Sequence, residues 1–147
     1  MEQTRYEAVW VDDLDKDVCW SLLGLRPVGR VAFGSDSGLV VLPVNHVMDG
    51  HTIVFRTGAT EMLERLSSGA EVAFEVDDVD STVETGWSVL VRGECSEVVE
   101  PSDLERFSTL GLRQWAPGAR THWLRITPAW VSGRAISRDG ASPIATG

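Results

Sequence analysis

The stretch Thr52–Leu66, TIVFRTGATEMLERL, decides the reading of this chain. An apolar β-type run, Ile53-Val54-Phe55, stops at Arg56-Thr57-Gly58, and a helical spacing follows in Met62, Leu63 and Leu66. The pattern predicts a strand that hands an arginine, two hydroxyls (Thr57 and Thr60) and a glycine to a helix start. A guanidinium presents a planar fork to a phosphate. The first turn of a helix adds free N–H groups and a positive dipole end. The corner is therefore a candidate anion cradle. The alternative is an ordinary strand-to-helix turn with a surface arginine.

The chain on either side is rich in β-type runs separated by turn signals. Upstream, Val28–Phe33 reads as a strand, residues 34–38 (GSDSG) as a turn, and Leu39–Val47 as the hairpin partner. Pro43 marks an edge or bulge in that partner. Asp49-Gly50 is a tight-turn signal, and His51–Arg56 returns as the third strand. Downstream, a helix is expected from about Ala59 to Ser67, a half-buried strand over Glu71–Val76, and an acidic loop, DDVDSTVETG, over Asp77–Gly86. A long strand follows over Trp87–Val99 with Gly93 inside it. A helix opens at Pro101, with Ser102 as candidate N-cap, and runs to about Leu110. Trp115–Ala119 reads as a loop, and His122–Ile136 as the last strand, broken by Pro128. Before all of these, Asp12–Leu23 has the acidic start and apolar spacing of a first helix, with Gly24 as C-cap.

Six or seven strands with short helices predict a mainly β protein: one small antiparallel barrel over residues 1–137, followed by a tail, 138–147, expected to be disordered. A leftover apolar face on such a barrel favours dimerisation.

The 147 residues suffice for one domain with its own core. A net charge of −9, from 22 acidic and 13 basic side chains, argues against a nucleic-acid binder and an anionic membrane surface. No apolar run approaches the roughly 20 residues of a membrane span. The acidic start, MEQTRYEAVWVDDLDKD, lacks a signal-peptide pattern, so the protein is expected to be cytoplasmic. Cys19 and Cys95 form no CxxC and are expected to be free, buried thiols. His46, His51 and His122 have no metal-ligand spacing, and no metal site is expected. Nothing around the serines, histidines or cysteines has the motif context of a hydrolase.

Five segments, taken together and in order, resemble a known family. They are VGRVAF (Val28–Phe33), LPVNHVMDGHTIVFRT (Leu42–Thr57), VAFEVDDVD (Val72–Asp80), TGWSVLVRGECSEV (Thr85–Val98) and LRITPAWVSGRAI (Leu124–Ile136). The chain is similar to the pyridoxamine 5′-phosphate oxidase-like, flavin-binding split-barrel group, in particular its small actinobacterial and nitroimidazole-resistance branch. The resemblance implies a split β-barrel of Greek-key type, a homodimer, and flavin mononucleotide (FMN) held in clefts between the subunits. It implies an oxidoreductase acting on a small-molecule substrate that the sequence does not name, with no side chain assigned as catalytic.

Carried over residue by residue, Val44 and Asn45 fall where the family's strand backbone follows the isoalloxazine ring. Arg56 and Thr57 fall at its phosphate-binding strand end, and Thr60 near the helix start that completes that site. Trp87 and Ser88 match a second strand bordering the flavin, although a strand tryptophan reads equally well as core. His122 and Trp123 resemble positions that reach the cofactor from the other subunit. His46, one residue past Asn45, faces the opposite side of its strand and reads as structural. One departure stands out: relatives usually carry a lysine where this chain has Met62, and Glu61 stands beside it. A charge-assisted hydrogen bond is worth roughly 1.5–3 kcal/mol, so its loss weakens flavin binding about ten- to a hundred-fold. Two other expectations follow. One is a non-catalytic split barrel that binds flavin weakly or not at all and serves as carrier or interaction module. The other is a deazaflavin coenzyme in place of FMN, against which the acidic balance counts.

Overall fold

A computed structural model describes residues 2–139 and 141–144. Its architecture is an antiparallel barrel with a hairpin appended. The strands are β1 (Gln3–Tyr6), β2 (Val9–Asp13), β3 (Val28–Ser35), β4 (Gly38–Asp49), β5 (Thr52–Thr57), β6 (Ser68–Asp80), β7 (Thr85–Val98) and β8 (His122–Arg138). The helices are α1 (Lys16–Leu23), α2 (Glu61–Leu66) and α3 (Pro101–Phe107). Pairing runs β1-β2-β8-β5-β4-β3-β6-β7, and β7 pairs again with β8. The strands β3 to β8 thus close a ring, with β1–β2 attached outside it. Within the ring β3, β4 and β5 follow one another, and β6 returns beside β3, which is Greek-key connectivity.

The ring closes because its strands alternate. Val31, Ile53, Phe55, Phe74, Val76, Val89, Val91, Leu124 and Ile126 are buried and form one core, on the period-2 spacing of a one-sided strand. Phe55, fully buried, lies in register with His46 on one side and Leu124 on the other. Helix α1 covers one end with Cys19, Leu22 and Leu23. Outside the barrel α3 lays Phe107 over Val54, Val98 and Trp123 as a second small cluster. Cys19 and Cys95 are free and buried, and burial pushes the Cys95 thiol up to about 12.

Three stretches differ from the sequence reading. First, the ring has six strands, but the hairpin β1–β2 brings the sheet to eight. Its turn, Glu7-Ala8, holds Glu7 at φ 56, where glycine or asparagine is the usual signal. Asp12 and Asp13, expected as helix, pair with Ala135 and Arg134 of β8, and α1 starts at Lys16. Second, most of the acidic loop is strand. Asp77, Asp78 and Asp80 are ladder residues opposite Ser88, Trp87 and Thr85. Aspartate is a poor strand former, but Asp77 pairs with Arg30 at 3.1 Å and Asp78 with Arg26 at 3.7 Å, partners distant in sequence. The turn itself is Ser81–Glu84, closed by Asp80 Oδ1 accepting from the Thr82 N–H at 2.9 Å. Third, α3 is shorter than expected. Pro101 takes its first turn, and Ser108 ends it.

The last strand is bent rather than broken at Pro128. Arg92 faces Trp130 and Gly93 faces Pro128, leaving Ala129 as the extra residue of a bulge. A Cβ on Gly93 would run into the Thr127 carbonyl and sit 2.9 Å from Pro128 Cα, so glycine is required there. The segment expected as a tail begins inside β8: Arg138 still pairs with Val9, and its N–H meets the Ala141 carbonyl at 2.9 Å. Ile144 lies against the core. Residues 140 and 145–147 lie outside the described residues.

Candidate functional site

Strands β4 and β5 pair from Asp49↔Thr52 as far as His46↔Phe55 and then part. The next pairs would have been Asn45 with Arg56 and Val44 with Thr57. Instead β4 continues along β3, where Asn45 faces Val28 and Val44 faces Gly29. The end of β5 turns to β8, where Arg56 faces Trp123 and Thr57 faces His122. A cleft of about 490 Å³ opens in the gap, within the size range of small-molecule sites. Val44 and Asn45 line one wall, and Arg56, Thr57, Gly58, Thr60 and Met62 the other. The parting of two strands thus sets the two halves of the sequence prediction face to face.

The donors of this cleft are short of acceptors. Arg56 forms no ion pair among the described residues. Its guanidinium carbon lies 5.4 Å from the Trp123 ring centre, and its Nε is buried without a hydrogen-bond partner. Gln114, across the cleft, has a buried and equally unpartnered Nε2. A buried unsatisfied donor costs about 1–3 kcal/mol, so two on one cleft mark a place for an acceptor that is not protein. Thr57 and Thr60 add hydroxyls 3.2 Å apart. Helix α2 contributes less than its sequence suggests. It spans six residues, and the hydroxyl of its N-cap Thr60 bonds to Thr57 rather than to its own first turn. Met62 lines the cleft and packs against the core, while Glu61 is exposed at the rim. The residues present fit a phosphate-bearing ligand: Arg56, Gln114, Thr57 and Thr60 line one cleft, and its one carboxylate, Glu61, stands at the edge.

A third wall lies outside the sequence expectations. Residues 114 and 116–120 close the cleft. The Trp115 N–H donates to Asn45 Oδ1 at 3.0 Å, so the Asn45 side chain holds this loop. A Cβ on Gly58 would meet the Ala119 carbonyl at 3.0 Å, so glycine lets the loop sit down on the end of β5. The signal that would have found the loop is the β5–β8 pairing, because Arg120 lies two residues before the strand that flanks Arg56 and Thr57.

The remaining candidates lie elsewhere in the chain. Trp87 is 3% exposed and belongs to the core; with Ser88 it borders a separate depression of about 340 Å³ walled by Asp77, Glu84 and Arg134. His122 is occupied by Glu97, to which its Nδ1 donates at 2.7 Å. Trp123 packs on Phe107, 5.2 Å between ring centres, beneath Arg56. Neither lines the cleft of its own chain. His46 is buried, and its Nε2 donates to the Leu23 carbonyl at 2.7 Å. Burial pushes its pKa below the ordinary imidazole value, against a smaller upward pull from that bond. It faces the core side, as its strand position predicts.

A closed antiparallel ring split beside one strand, with a donor-lined cleft in the split, defines the split-barrel class. Comparison with known proteins takes the assignment further. The family model of pyridoxamine 5′-phosphate oxidase matches residues 15–135, and the chain belongs to that family. The Mycobacterium tuberculosis protein Rv0080 is 35% identical over 142 residues, 90% of each chain. The solved FAD-binding protein of Mycobacterium smegmatis is 35% identical, with a TM-score of 0.75 over 84% of this chain and 97% of its own. The FAD-binding protein of Mesorhizobium loti is 25% identical, with a TM-score of 0.72 over 85% of this chain and 97% of its own.

Proposed function

We propose that this chain is a flavin-dependent oxidoreductase that holds the flavin phosphate in the β4–β5 cleft. The observation that carries the reading is the pair of unpartnered buried donors, Arg56 Nε and Gln114 Nε2, beside the Thr57 and Thr60 hydroxyls. Arg56, Thr57 and Thr60 would hold the phosphate, and the Val44–Asn45 strand would border the ring. When bound, a flavin accepts and returns hydride at its ring nitrogen N5. The chain's part is to bind, orient and shield. FMN is the leading cofactor. FAD, which the M. smegmatis and M. loti relatives are named for binding, would bring a diphosphate to the same donors in place of a monoester.

We also propose a homodimer acting in the cytoplasm on a small-molecule substrate. The β4 edge over residues 39–45 is unpaired on the side of the split, and Leu39 and Val41 are 91% and 61% exposed there. Trp115, on the loop that closes the cleft, is 65% exposed. A bare strand edge with apolar side chains is a surface that a second copy would cover.

A second reading has its own support. Met62 and Glu61 line the cleft, at the position where the family resemblance implies a lysine, which favours a weakly binding, non-catalytic barrel. One measurement separates the two: the absorbance spectrum of the purified protein before and after incubation with FMN, FAD or a deazaflavin coenzyme. A flavin spectrum that survives desalting supports the first reading. Protein that stays colourless with FMN and FAD sinks it.

A further inference from the structure

We propose that Arg120 supplies a second positive charge to the phosphate site, beside that of Arg56. This rests on the flavin-phosphate reading above and adds a binding residue to it.

Arg120 lines the same cleft as Arg56, Thr57 and Thr60, from the loop on the opposite wall. Its guanidinium is half spent. Nη1 donates to the carbonyls of Ala116, Pro117 and Gly118 at 3.3, 3.0 and 3.4 Å, which curls the loop around its own arginine. Nε and Nη2 have no protein partner among the described residues. No carboxylate among the described residues reaches the group either. Seven of the twelve arginines find carboxylates among the described residues; of the five that do not, Arg56 and Arg120 share this cleft, while Arg92, Arg113 and Arg134 lie outside it. That Arg56 and Arg120 both go without, on one cleft, is what an anion site requires.

The loop is fastened at two points, so this placement is built in. Gly58 admits the Ala119 carbonyl at one end, and Asn45 Oδ1 takes the Trp115 N–H at the other. Gln114, on the same loop, adds its unpartnered Nε2. The cleft therefore offers two guanidinium groups, an amide N–H and two hydroxyls. That set suits an oxyanion with several acceptor oxygens, a phosphate monoester or diphosphate, better than a carboxylate, which offers only two. An ammonium at position 62 would come from the core side; Arg120 supplies the charge from the loop side, and a guanidinium forks to two oxygens where an ammonium acts as a point charge.

The experiment is a set of equilibrium titrations of the full chain and of Arg120→Ala, Arg120→Lys and Arg120→Ala/Met62→Lys. FMN and riboflavin are followed by flavin fluorescence and inorganic pyrophosphate by calorimetry, with thermal unfolding to confirm that each variant folds. Arg120→Ala is expected to weaken FMN about 10- to 100-fold and riboflavin by less than about twofold. Arg120→Lys recovers part of the loss, and Met62→Lys restores it in the double variant. Equal weakening of FMN and riboflavin, or FMN affinity unchanged within about twofold, overturns the assignment. Should neither flavin bind the unmodified chain, the flavin reading fails and pyrophosphate decides for Arg120. Pyrophosphate binding that is lost in Arg120→Ala keeps the anion site; binding that is absent from the start, or unchanged in the variant, removes it.

Discussion

Replacing Arg56 by methionine separates its charge from its packing. The guanidinium lies 5.4 Å from the Trp123 ring, and Nε is buried without a partner. Methionine keeps most of the apolar contact with Trp123. The loss to stability is then the cation–π attraction, about 0.5–1 kcal/mol at a half-exposed site. Removing an unsatisfied buried donor works the other way, by about 1–3 kcal/mol. The balance runs from about zero to about 2.5 kcal/mol in favour of the variant, and for a domain of this size 1 kcal/mol moves the midpoint by roughly 2–4 °C. Thermal unfolding without ligand should therefore change little, or rise. Binding behaves differently. A phosphate held by Arg56 forfeits a charge-assisted bond of about 1.5–3 kcal/mol. The FMN dissociation constant should rise about 10- to 140-fold at 1.4 kcal/mol per decade. Riboflavin, which lacks the phosphate, is the internal control and should barely respond. Fluorescence titration of both ligands reads the difference. A fall in midpoint of more than about 6 °C would mean that Arg56 is structural. Equal weakening of FMN and riboflavin would refute its role as a phosphate donor.

Three further outcomes are expected. Met62→Lys should tighten FMN about tenfold or more while leaving riboflavin alone; tight FMN binding that the change does not improve would show that the missing lysine costs nothing. Glu75 and Asp77 share Arg30, and burial first, then the bond to and charge of Asp77, push the Glu75 carboxyl up to about 7 against the pull of Arg30. Its folded pKa lies above its ordinary value of 4.5, so its contribution to stability is present below that value and lost as pH rises to about 7. Urea unfolding at pH 5 and pH 8 should show a smaller drop for Glu75→Gln than for the unmodified chain, and an identical drop would rule the account out. Finally, Leu39→Glu combined with Val41→Glu should convert a dimer to monomer in light scattering with the melting midpoint kept; a dimer that persists would place the interface elsewhere.

The parts of the fold written in local sequence were legible. Alternation in Val28–Phe33 and Thr52–Thr57, and the Asp49-Gly50 turn, mark β3, β4 and β5 without reference to anything distant. What escaped depends on partners far along the chain. Asp77 and Asp78 are strand because Arg30 and Arg26 meet their charges, and Asp12 is strand because β8 is long enough to offer an edge at Ala135. The site divides in the same way. Val44, Asn45, Arg56 and Thr57 were identified as segments, but their facing one another follows from β4 and β5 parting after His46↔Phe55, which no local pattern encodes. Gln114 and Arg120 lie in a loop of Pro, Gly and Ala whose importance arises from where β8 docks. Trp87 reads equally well as core or as a site residue in the sequence, and its side chain is buried in the core of its own chain.

The course of β8 also sets an order of events. One edge of this strand runs along β7, and the other passes from β5 to β2. The ring therefore closes through contacts such as Ile53 with Ile126, whose partners stand about half the chain apart. Loop-closure entropy opposes that step until the ladder begins to form, and topologies of this kind fold in milliseconds to seconds rather than microseconds. As the chain emerges during synthesis, β5 and β7 keep bare edges until His122–Arg138 arrives. The loop carrying Arg120 immediately precedes that strand, so the cleft is among the last features to be assembled. A ligand bound there grips only the closed ring, and its occupancy reports, by mass action, that folding is complete.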